Sequence, residues 1–166
     1  MPPRALSGHV RRDETHHRLD ARKGRGTVLA SRSDMEPEHD SRVIEERATQ
    51  NWVGADGIMR SKIRAGTDFT VEDSQAALRA TQALVTVLPT PVLVDCRGVR
   101  TATRDSRLFW ETPDAKRTLS AMAMLVGSPV SRMIVSFFVR LVRPDFQLRS
   151  FTSEEDAVRW LREVTR

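Results

Sequence analysis

Apolar and polar positions change their rhythm at about residue 41. Before it, Arg, Asp, Glu, Ser, His and Gly dominate, and apolar side chains recur with neither a period of 2 nor one of 3.6. Such a segment buries too little apolar surface to offset the entropy of ordering it. Residues 1–40 are therefore expected to form a disordered, arginine-rich tail, and 41–166 a single domain. Met35 would serve as a translation start as well as Met1.

Beyond the boundary the pattern alternates between strand and helix. Residues 42–66 read as two strands around the Asp56-Gly57 turn, a strong hairpin signal. Met59, Ser61, Ile63 and Ala65 fall on one face of the second strand, and Arg60, Lys62 and Arg64 on the other. A helix follows from Thr70, with Asp73 completing a capping box and Ala77, Ala80, Leu84 and Leu88 forming its apolar stripe. Pro89 and Pro91 stop it, and the apolar run from Val92 to Cys96 predicts a strand covered on both faces.

The alternation then repeats. Residues 104–110 and 113–118 look helical, and Ser120–Val126 is a second buried strand. Ser128-Pro129 opens a longer helix that ends at Pro144, with Arg140 and Arg143 near its negative end. Phe146–Phe151 is the last strand, and Thr152 with Glu155 caps a final helix carrying Ala157, Leu161 and Val164. The expected class is α/β: a mixed, mainly parallel sheet with an N-terminal β-hairpin and helices packed on it.

Composition narrows the function. The net charge of +5 and a pI near 10.5 suggest nucleic acid, but Lys occurs only at 23, 62 and 116, and the arginine excess looks like codon bias. Tyr is absent and aromatics make up 5%, which leaves few platforms for stacking bases. Nucleic acid is not the expected partner. No apolar run approaches the roughly 18 residues a membrane span requires, and the first residues lack the apolar core of a secretory signal. A single cysteine, Cys96, excludes an internal disulfide and suits a reducing cytoplasm.

Three stretches carry a resemblance: LVDCRGV at 93–99, LVGSPVSRMIVSFF at 125–138 and RSFTSEEDAVRWL at 149–161. Together with the element order they resemble a group of small bacterial STAS-like proteins, whose fold is shared with anti-sigma-factor antagonists and lipid-binding CRAL-TRIO domains. The likeness covers about residues 50–166. It implies a non-enzymatic regulatory or binding domain that engages a protein partner, a second copy of itself or a small ligand, with no cofactor. In the antagonists a serine after the aspartate-bearing strand is phosphorylated, and Asp105-Ser106 superficially fits that place. Arg107 stands where a small residue is usual and the motif's glycine is missing, while helix capping by Thr103 accounts for the same residues.

The candidate chemistry is sparse. All four histidines lie at 9, 16, 17 and 39, so the domain offers no histidine triad or histidine metal centre. No phosphate-cradling glycine motif occurs. Cys96 reads as a core residue. Asp95, at the carboxyl end of a parallel strand, either binds a ligand or fixes the following turn. Ser128, Ser131 and Arg132 at a helix start make an anion site, or simply a cap beside a solvated arginine. The helix they open is apolar on more than one side, so Phe137, Phe138 and Val142 are divided between core and an interaction face. Two alternatives stand beside the binding domain. One is a small hydrolase or transferase working without histidine from Asp95, Ser128 and Arg132; the other is an accessory nucleic-acid binder using the arginine-rich tail and the Arg60-Lys62-Arg64 face.

Overall fold

A computed structural model describes residues 35–142 and 144–166. The tail before residue 35 and Arg143 lie outside the described residues. The elements are β1 (Val43–Glu45), β2 (Thr49–Val53), β3 (Met59–Ile63), β4 (Thr67–Phe69), α1 (Val71–Leu84), β5 (Thr90–Asp95) and β6 (Val99–Ala102). Then come α2 (Arg104–Leu108), a 3-10 turn (Phe109–Glu111), α3 (Pro113–Thr118), β7 (Leu119–Leu125), α4 (Pro129–Leu141), β8 (Gln147–Phe151) and α5 (Glu154–Val164). Six strands form the main sheet in the order β1-β2-β3-β5-β7-β8. The β1-β2-β3 end is antiparallel and every pairing from β3 to β8 is parallel. The fold is therefore the mixed, mainly parallel α/β class that the pattern predicts.

The Asp56-Gly57 turn joins β2 to β3. Gly57 takes φ +78°, where a side chain would be strained, and the Asp56 carboxylate accepts from the Ile58 amide at 3.2 Å. The expected hairpin gains a strand: β1 folds back on β2 through a turn closed by Glu46 N–H donating to the Thr49 carbonyl at 2.8 Å. That turn, with no Gly or Pro, has no sequence signal. The β3 alternation holds, with Met59, Ser61 and Ile63 buried and Arg60 and Lys62 half-buried; Arg64 and Ala65 lie past its end.

Helices cover both faces unequally. Met59, Val92, Met122 and Met124 form one face, against which α4 buries Val135 and Phe138. Leu84, at the end of α1, packs on this face too. On the other face Trp52, Leu93, Ala121, Ala123 and Leu125 meet Ala157 and Leu161 of α5. The fully buried alanines of β7 and α5 let that helix lie close to the sheet. Strands β5 and β7 are sandwiched this way, which is why they read as nearly unbroken apolar runs.

Four local expectations change. The α1 stripe stops at Leu84, and Leu88 stands 47% exposed in the connection before Pro89, where the residue ahead of a proline leaves the helical region. The segment after Asp95 turns into β6, which pairs in parallel with β4 as a small second sheet. The α5 cap is Ser153 rather than Thr152: Ser153 Oγ accepts from the Asp156 amide at 3.3 Å. Met35 is 2% exposed within the Trp52 cluster and Glu36 pairs with Lys62, so ordered contacts begin ahead of residue 41. The α1 capping box is present, with the Asp73 carboxylate accepting from the Thr70 amide at 2.8 Å.

Candidate functional site

The first sheet face, β6, α2 and α4 enclose an apolar cavity of about 60 Å³. Val94, Met122 and Met124 line it from the sheet, Val99 from β6 and Phe138 from α4. Arg107, Trp110 and Ile134, all half-buried, carry its lining toward the surface. A space of this size among apolar walls gives a water molecule no partners.

Next to Ile134 the same helix turns apolar side chains outward. Val130, Met133 and Phe137 are 46%, 55% and 55% exposed, at i, i+3 and i+7 spacing that aligns them in one stripe. Ser131, Val135, Phe138 and Val142 are buried on the opposite sector. The apolar excess of α4 thus splits: Phe138 and Val142 belong to the core, and Phe137 to the surface. A helix that only covered a sheet would need one of these sectors.

Asp95 is buried, its side chain 3% exposed. One carboxylate oxygen accepts from the Arg97 amide at 3.0 Å and from its Nε at 2.9 Å, and the other from its guanidinium at 2.6 Å. The Arg97 amide lies at i+2, where an aspartate turn finds a donor, and the Arg97 guanidinium adds an ion pair that the turn alone does not require. Its stem lies over Gly127, where a Cβ would come within 3.2 Å of the arginine chain.

Ser128 and Ser131 come together. Ser128 Oγ accepts from the Ser131 amide at 3.0 Å, while Ser131 Oγ accepts from the amides of Ser128 at 3.0 Å and Gly127 at 3.1 Å. The helix start is satisfied by its own two hydroxyls. Arg132 points elsewhere, into a crevice between α4 and the β8–α5 connection. Asp95 is not among the residues lining that crevice.

Ser106 is 2% exposed. Its hydroxyl donates to the Thr103 carbonyl at 2.8 Å, and its amide donates to Thr103 Oγ1 at 3.1 Å. Ser74 Oγ adds a bond to the Ser106 carbonyl at 3.0 Å, tying α2 to α1. A kinase would reach that hydroxyl only with α2 displaced. Cys96 is 2% exposed, and burial, with the nearby Asp95 charge, pushes its thiol well above the usual range.

The basic face of β3 is answered by carboxylates. Arg60 holds Asp56 through two bonds of 2.6 and 3.0 Å and reaches Glu154 at 3.6 Å. Lys62 pairs with Glu36, and Arg64 with Glu45. Among the described residues no group of three or more His, Cys, Asp or Glu is placed to hold a metal, and no helix is long and apolar enough to cross a membrane.

The class defined by this geometry is a mixed α/β domain whose longest parallel strands carry helices on both faces. Residues 52–165 match the domain of unknown function DUF7793, and the chain belongs to that family. Among solved structures it is similar to an uncharacterised protein of the DUF3478 family with a SpoIIAA-like fold from Shewanella loihica PV-4. That likeness has 12% identity and a TM-score of 0.44, over 73% of this chain and 91% of the other. No curated protein matches the chain.

Proposed function

We propose that this chain is a STAS-like regulatory or binding domain, not an enzyme, which engages a protein partner through the exposed flank of α4. The observation that carries the reading is the stripe Val130, Met133 and Phe137, three large apolar side chains left in water by a helix whose other sector is fully used. Contiguous exposed apolar surface on a folded domain marks an interaction site. The residues that a hydrolase reading would employ support the same view. Asp95 serves Arg97 and the turn, and the Ser128 hydroxyl serves the helix start.

The test is native mass spectrometry of the chain isolated from its own host, beside the Met133→Ser, Phe137→Ser double variant. Both side chains are more than half exposed, so the variant should melt within a few degrees of wild type. Wild type should carry a partner that the variant lacks. Equal retention of a partner by both would remove α4 from the account.

A further inference from the structure

Strands β7 and β8 lie side by side and parallel, yet the helices after them part, α4 to one sheet face and α5 to the other. Such a divergence opens a crevice beyond the carboxyl ends of the two strands, where open α/β sheets bind ligands. Here it measures about 340 Å³, within the range of small-molecule sites. Val126 closes it from the end of β7, Ser150 and Thr152 line it from β8 and beyond, Arg132 and Ser136 from α4, and Asp156 from α5.

The polar groups are arranged for an anion. Arg132 makes no ion pair among the described residues, and the hydroxyls of Ser136, Ser150 and Thr152 have no hydrogen-bond partner there. Asp156, the acid in the lining, is paired with Arg159. Arg60 of β3 and Arg64 just past its end are, by contrast, both held by carboxylates. A guanidinium fork with three hydroxyls around it matches a phosphate, which accepts paired bonds on adjacent oxygens.

We propose that this crevice binds a small phosphate-bearing molecule, with Arg132 holding the phosphate and Ser136, Ser150 and Thr152 completing its hydrogen bonds. The site lies on a different flank of α4 from the apolar stripe and does not depend on the partner reading. It is also separate from the Ser128–Ser131 cap, whose hydroxyls are spent.

Inorganic phosphate and glycerol 3-phosphate, titrated at constant ionic strength into the isotope-labelled full chain, test it by amide NMR. Saturable shifts are expected at Arg132, Ser136, Ser150 and Thr152 with both probes. The tighter of the two tells whether the source is free phosphate or an organic phosphate. Arg132→Ala, an exposed position, should keep the wild-type melting temperature and weaken binding about ten-fold or more. Arg140→Ala, exposed on the same helix but outside the crevice, should change nothing. Shifts that never saturate, an unaffected Arg132→Ala, or equal losses in the two variants would overturn the proposal.

Discussion

Asp95→Ala should cost the domain about 2–3 kcal/mol. The carboxylate is nearly sealed from water and receives three charge-assisted bonds from Arg97, two of them from its guanidinium. Removing one member of a fully buried pair typically costs about 3–5 kcal/mol. Arg97 remains 36% exposed, so water can rehydrate its guanidinium and the loss falls short of that range. Asp95→Asn keeps one oxygen for the Arg97 amide and Nε but loses the charge and sets an NH2 group where the second oxygen accepted from the guanidinium, which predicts about 1–2 kcal/mol. Arg97→Ala strands the carboxylate in the core margin and should cost at least as much as Asp95→Asn. Urea unfolding followed by far-ultraviolet circular dichroism reads these directly. With a slope of about 2 kcal/mol/M, Asp95→Ala should lower the midpoint by about 1 M. The double variant should cost less than the sum, because both changes remove one interaction. If Asp95→Asn and Arg97→Ala both stay within about 0.5 kcal/mol of wild type, the pair is not structural. An Asp95→Asn chain that folds normally yet loses its partner would make Asp95 part of a binding surface instead.

Two further outcomes follow from the packing. Burial raises the Asp73 carboxyl, but the bonds from Arg47 and Thr70 outweigh it and hold the group below its ordinary value. A carboxyl depressed in the folded state adds stability above its unfolded value near 3.8, lost as pH falls through the folded value. The stability gap between wild type and Asp73→Asn should thus be full at neutral pH and close below about pH 4 in urea melts; a gap constant with pH would refute it. A chain starting at Met35 should fold with normal stability, whereas one starting at Ser41 should lose about 2 kcal/mol by discarding a buried methionine. Equal melting temperatures for the two would show that Met35 adds nothing.

The legibility of this chain follows its physics. Elements whose signal is local were readable: the Gly57 turn, the Thr70–Asp73 capping box, the Ser128-Pro129 helix start and the doubly buried β5 and β7 each depend on residues within a few positions. What escaped depends on distance. The β4–β6 sheet joins two short segments about thirty residues apart, with no periodicity in either. The switch in helix direction between β7 and β8 is a property of the assembled sheet, so the crevice could not be read from α4 alone. Arg132 was visible as a candidate, and Ser136, one turn on, shares its side of α4, but Ser150 and Thr152 join the same crevice only through the fold. Met35 was hidden for a related reason. One buried side chain in a polar stretch has no pattern, and Trp52 provides its place from another element.

The central claim, that the outer flank of α4 is where this domain meets another protein, is tested most directly by photo-crosslinking in the native host. A photoreactive phenylalanine analogue replaces Phe137 in one strain and Val87 in another; Val87 is an apolar residue 72% exposed in the connection after α1. The account predicts a discrete adduct from position 137 and none from position 87. An adduct at twice the chain's 18.8 kDa would identify the partner as a second copy, and any other mass a different protein. No adduct at 137, or the same adducts from both positions, would contradict it.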